Sequence, residues 1–119
     1  MALFRRFFDR LIETDEARLA TEVREWSASV PDAVPIAAAR LRERVKIAGQ
    51  IRRLTVLPMK DNESLEAVVS DGSGEIVVRF TGRRAIGGLG LGTKVVLEGM
   101  LAEQKGVLQM MNPQLEFTA

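Results

Sequence analysis

The chain contains no cysteine, no histidine and no tyrosine. Those absences exclude disulfides, thiolate nucleophiles, Ser-His-Asp catalysis and metal sites built on His or Cys, and with them the side chain whose pKa lies nearest neutrality. Aromatics are scarce, with only Trp26 and five phenylalanines, which limits the surface on which bases could stack. No charge dominates, since 17 Lys and Arg against 16 Asp and Glu leave +1. A charged partner must therefore be met by a local patch. Nowhere do about 18 apolar residues follow one another, which excludes a transmembrane helix. Arg5, Arg6, Asp9 and Arg10 interrupt the apolar run that a secretory signal needs, so the expected location is cytoplasmic. What is present, 46% apolar and 28% charged residues over 119 positions, is the composition of one soluble globular domain.

The N-terminal segment reads as helix. Leu3, Phe4, Phe7, Phe8 and Leu11 fall on one stripe of a 3.6 period, with Arg5, Arg6 and Asp9 opposite. Leu19, Val23 and Trp26 continue helical spacing, and Thr14 followed by Asp15 and Glu16 resembles an N-cap. Two helices broken near Thr14 and one long helix both fit. Two serines and two prolines between positions 27 and 35 stop the helix and form a linker. The expected division is a helical extension with linker over residues 1–34 and a β domain over residues 35–119.

From about Arg44 the period changes to two. Val45, Ile47, Gly49 and Ile51 alternate with polar or small residues, and an in-phase glycine marks a bend or bulge. Leu65, Ala67 and Val69, the turn Asp71-Gly72-Ser73-Gly74, and Ile76, Val78 and Phe80 form a hairpin. A glycine-rich excursion over residues 82–92 carries at most one helical turn around 85–89. A fourth strand follows over 93–101 with Gly99 in line, then a fifth over 107–117. Five strands with an excursion between the third and fourth match a five-stranded OB-fold Greek-key barrel, and the bend glycines favour a closed, curled sheet over an open sandwich. The fold class is mainly β with an N-terminal α-helical extension, whose apolar stripe is expected to join the core.

The string Val45-Lys46-Ile47-Ala48-Gly49-Gln50-Ile51, the turn Asp71-Gly72-Ser73-Gly74-Glu75-Ile76, Phe80, Gly92-Thr93 before Val95, Gly99, and Gly106-Val107-Leu108-Gln109-Met110-Met111-Asn112-Pro113 resemble nucleic-acid-binding OB-folds. They are similar to the OB-type wedge domain of the RecG branch-migration helicases and to small stand-alone bacterial OB-fold proteins. The likeness runs over residues 35–117 and implies a role in binding DNA or RNA, DNA ahead of RNA. No Gly-rich loop ending in Gly-Lys-Ser or Gly-Lys-Thr is present, so no ATPase activity is implied.

Strand alternation sets Lys46, Gln50, Arg52, Glu66, Ser70, Val77, Arg79 and Thr81 outward. An OB-fold binds its ligand across strands two and three, so the candidate nucleic-acid contacts are Lys46, Gln50, Arg52, Arg53, Arg79, Arg83 and Arg84, with Lys60 at the margin. Residues 44–119 carry ten basic against eight acidic residues and residues 1–43 seven against eight, a slight basic bias in the barrel. Each of these charges taken alone also fits an ordinary solvated strand surface. Phe80 falls on the inward phase, Phe117 is open to either reading, and one of Met110 and Met111 must point inward. The glycine-rich excursion lacks the Lys-Ser or Lys-Thr of a phosphate cradle, and no carboxylate pair, calcium loop or other catalytic constellation is present. The expected function is a non-enzymatic module without a cofactor, binding single-stranded or junction DNA through a basic barrel face. The alternative is an interaction or oligomerisation adaptor that holds a protein partner or a second copy on the same barrel, where Val68 and Val77 are expected to be exposed, or through the basic amphipathic N-terminal helix. Attachment of that helix to a membrane surface ranks last.

Overall fold

The computed structural model describes residues 2–58 and 63–118, with side chains described from residue 15 onward. The side chains of the stripe over residues 3–11, and Lys60, lie outside that description. Helix α1 (Ala2–Ser29) is continuous, so Thr14, Asp15 and Glu16 sit within it and not at a helix start. The segment contains no glycine or proline to break it. It ends as the linker composition predicts: the Ser29 hydroxyl donates to the Trp26 carbonyl at 2.6 Å, Val30 N–H donates to the Ser27 carbonyl at 3.1 Å, and Pro31 follows.

A barrel follows, built from β1 (Arg44–Pro58), β2 (Glu63–Ser70), β3 (Glu75–Thr81), β4 (Lys94–Gln104) and β5 (Val107–Met111), with β6 (Gln114–Phe117) added outside the ring. The order β1-β2-β3-β5-β4 closes on itself because β4 also pairs with β1. The first half of β1 pairs with β4 and the second half with β2, and Gln50 faces both Lys94 and Ser70. Gly49 sits at this crossing. A Cβ there would lie 2.6 Å from Val69 Cγ1 and 2.9 Å from the Ser70 carbonyl oxygen, so the close approach that curls the sheet requires glycine. Ile47, Val69, Ile76, Val78, Val95, Leu97, Leu101 and Met110 fill the interior, on the alternation read from sequence. Phe80 joins them and Met111 is exposed.

The fifth strand is divided rather than continuous. Asn112 adopts a positive φ of 47° and Pro113 offers no N–H, so the ladder with β3 ends at Met111 and the chain turns to pair with the free side of β4. The excursion between β3 and β4 contains a turn closed by Leu89 N–H donating to the Ile86 carbonyl at 3.0 Å, without a helix. Gly92 N–H donates to the Ile51 carbonyl at 2.8 Å and fixes the loop on β1.

The linker is part of the packed structure. Ile36, in the 3-10 turn Ile36–Ala38, lies in the barrel core. The buried Asp71 carboxylate accepts from Ile36 N–H at 2.8 Å, from Ser73 N–H at 2.8 Å, from the Ser73 hydroxyl at 2.7 Å and from Gly74 N–H at 3.2 Å. The Asp-Gly-Ser-Gly turn therefore clasps the 3-10 turn that follows the linker as well as reversing the chain. Helix α1 packs against β1 through its C-terminal half, where Val23 and Ser27 are buried. Lys94 Nζ stands 5.3 Å from the centre of the Trp26 ring. Ala48 and Val96 are outward in phase, buried, and separate from the barrel core, as expected for residues under the helix.

Candidate nucleic-acid interface

Two rows of side chains cross the outer face of β1, β2, β3 and β5. Arg53, Val68, Val77 and Gln109 form one row and Thr55, Glu66, Arg79 and Met111 the other. At ~4.8 Å between strands each row spans roughly 14 Å, and the rows lie ~7 Å apart. Their relation to the candidates depends on a bulge in β1. The pairing with β2 shifts between Ile51 and Arg53, so an extra residue, Arg52, is accommodated. Both arginines are exposed, and the bulge brings adjacent cations to the edge of the face.

The other candidates divide among three places. Arg79 lies on the face with its Nη2 2.8 Å from Glu66 Oε2; its Nε is buried without a hydrogen-bond partner. Lys46 is half-buried in the β1–β4 ladder opposite Glu98, a carboxylate that also receives Arg44 Nε at 3.3 Å. Gln50 Nε2 donates to the Gly92 carbonyl at 3.0 Å and braces the β3–β4 loop. Arg83 and Arg84 belong to that loop, and Arg84 Nε is 3.2 Å from Glu63 Oε2. Arg52, Arg53 and Arg79 thus share a surface, Arg83 and Arg84 stand beyond the end of β3, and Lys46 and Gln50 lie on the half of β1 that pairs with β4. Among the described residues, Lys46, Arg52, Arg53 and Arg83 have no ion-pair partner. Val68 and Val77, expected to be exposed, are half-buried in the centre of the first row.

A second concavity of about 420 Å³ opens between the β3–β4 loop and β6. Phe80, Ile86 and Leu115 line it, with Arg83 and Phe117 in its wall. Phe117 is 46% exposed. Asn112 holds the corner: its Oδ1 accepts from Thr81 N–H at 2.9 Å, its Nδ2 donates to the Thr81 hydroxyl at 3.1 Å, and its own N–H donates to the Arg79 carbonyl at 2.8 Å. In the sequence, Asn112-Pro113 marks only a strand exit; its role in shaping this concavity depends on the distant Thr81.

Comparison with solved structures fits this topology. The chain superposes on RecG bound to a three-way DNA junction with a TM-score of 0.56 at 18% identity, covering 75% of this chain and 12% of that one. It superposes on a replication protein A heterotrimer bound to single-stranded DNA with a TM-score of 0.53 at 17% identity, covering 76% of this chain and 70% of that one. The barrel is an OB fold. At these identities the likeness concerns the fold, and the chain spans about an eighth of the RecG chain's length. No family model and no curated protein sequence matches. In the OB barrel, the two rows occupy the strand-two and strand-three surface on which such folds take their ligands, while the Phe117 concavity lies beyond the end of β3.

Proposed function

We propose that the chain is a non-enzymatic OB-fold module that binds nucleic acid, single-stranded or junction DNA ahead of RNA, across the outer face of β1, β2, β3 and β5. The observation that carries this reading is the bulge that sets Arg52 and Arg53 side by side at the edge of that face. The DNA-bound states of the two structural neighbours support it. Arginine pairs with phosphate oxygens through charge-assisted hydrogen bonds, and the half-buried Val68 and Val77 give the face a small apolar centre. Fluorescence anisotropy with single-stranded, duplex and junction DNA and with RNA, over a salt series, tests the proposal. Binding at low salt that weakens with added salt is expected, and the double variant Arg52→Glu with Arg53→Glu should lose at least tenfold in affinity. Absence of binding at low salt would overturn the reading.

One observation favours the adaptor reading. Leu41 and Met100 are exposed where the chain enters β1, and Arg42 and Leu101 are joined there by a 2.8 Å backbone hydrogen bond. If this apolar spot contacts a second copy, light scattering will show a dimer that Met100→Glu dissociates.

A further inference from the structure

Among the described residues, the outer face of the barrel offers cations and small apolar groups but no aromatic ring: its two rows are Arg53, Val68, Val77 and Gln109, and Thr55, Glu66, Arg79 and Met111. Phosphates can be held there, but stacked bases find no ring. Trp26 is partly covered beneath Lys94 and Phe80 is buried. Among the described residues the exposed aromatic is Phe117, and it lines the concavity beyond the end of β3. Gly88, at φ +85°, packs against this ring, with room for a Cβ only 3.5 Å from Phe117 Cζ. The ring thus rests against backbone, and the residue as a whole is 46% exposed.

The surroundings suit a flat ring joined to an anion. Phe80, Ile86 and Leu115 make apolar walls, and the volume of about 420 Å³ lies in the range of small-ligand sites. Arg83 is exposed and without an ion-pair partner among the described residues, whereas its neighbour Arg84 is neutralised by Glu63. Asn112 uses one amide hydrogen on Thr81, which leaves the second as a directed donor. From these features we infer that the concavity is a subsite for one unpaired nucleotide, its base against Phe117 and its phosphate at Arg83. This rests on the nucleic-acid reading and deepens it. Arg79 and Arg83 are four residues apart through the end of β3, and Asn112 bonds to the Arg79 carbonyl, so a strand leaving the barrel face at Arg79 arrives at this opening. Duplex DNA, whose bases are stacked on one another, cannot fill the subsite without unpairing.

The test uses the full chain and a labelled oligothymidylate of about 15 nucleotides, a length within the range of OB site sizes. Phe117→Leu keeps an apolar contact to Gly88 but removes the ring, and Arg83→Gln alters an exposed loop side chain that has no ion-pair partner among the described residues. Each should weaken single-strand binding about tenfold, and Phe117→Leu should leave duplex binding unchanged. An oligonucleotide carrying 5-iododeoxyuridine should photocrosslink to Phe117. Binding by both variants within about twofold of the parent, with adducts confined to β1–β3 and affinity still lost on the Arg52 and Arg53 reversal, would overturn the subsite and leave the barrel-face reading standing. Capture of a hydrophobic peptide in the concavity, undisturbed by the oligonucleotide, would also overturn it. Failure of the parent chain to bind any nucleic acid would remove both readings together.

Discussion

Asp71 illustrates how one side chain can join two parts of a fold. Its carboxylate is 1% exposed and accepts hydrogen bonds from Ile36, Ser73 and Gly74. Removing it leaves buried donors without partners, a loss more costly than that of the bonds alone. Asp71→Ala should destabilise the chain by ~3 kcal/mol in urea unfolding, and Asp71→Asn, which retains one acceptor oxygen, by less. Glu66 acts in the opposite direction at the proposed binding face. It lies directly across from Arg79, ties up that guanidinium at 2.8 Å and adds a negative charge where phosphate would approach. The side chains keep partial access to solvent, 34% at Arg79 and 25% at Glu66, and a glutamine at position 66 can still accept from the guanidinium. Glu66→Gln should therefore raise affinity for single-stranded DNA severalfold in anisotropy titrations, at a cost of about 1 kcal/mol in unfolding. Sequence alternation places both residues on the outer surface, but their pairing depends on the β2–β3 register.

At the scale of elements, α1 and the β1 bulge decide what the barrel presents. The helix is fastened where its backbone meets the β2–β3 turn: a Cβ on Gly72 would collide with the Ala20 carbonyl oxygen and press on Arg24 Cβ, and Gly72 sits at φ +84°. Gly72→Ala combines that collision with ~1–2 kcal/mol of left-handed backbone strain. It should release the C-terminal half of α1 from the barrel. Trp26, the one tryptophan, packs beside Lys94 and reports the change as a red-shifted emission; an unshifted spectrum would mean that the turn does not hold the helix. The strands were legible because burial of one face imposes a period of two on Val45, Ile47, Gly49 and Ile51 and on the β2–β3 hairpin. The bulge was not, because Ile51-Arg52-Arg53-Leu54 contains no glycine or proline to announce it. The excess residue shows only against Val68 and Val69 of the partner strand. The division of the last strand was signalled by Pro113 and by the change of phase from Leu108 and Met110 to Leu115 and Phe117 across it, although residues 107–117 together read as one strand. Whether Phe117 points inward depends on which side of β4 the final segment takes, which its own four residues do not specify.

For the whole molecule, a formal charge of +1 conceals an uneven distribution over the face. Arg52 lines a shallow depression shared with Glu16 of α1 and with Glu75, so two carboxylates lower the potential around it. Arg53 lies in the first row beside Val68 and Val77, away from that depression. Adjacent arginines raised by one bulge should therefore contribute unequally, and Arg53→Glu should cost more single-strand affinity than Arg52→Glu. If Arg52, Arg53, Arg79 and Arg83 each meet a phosphate, the slope of log K against log salt is roughly −3, from about −0.7 per neutralised phosphate on a single strand. Reversing Arg53 should make that slope shallower by roughly 0.7, and reversing Arg52 by less, because the carboxylates beside it already oppose phosphate. Anisotropy titrations of the parent and both variants over one salt series measure these slopes. Equal losses for the two reversals would show that α1 and the β2–β3 turn exert no field at the face, and that the two arginines act as independent, solvated charges.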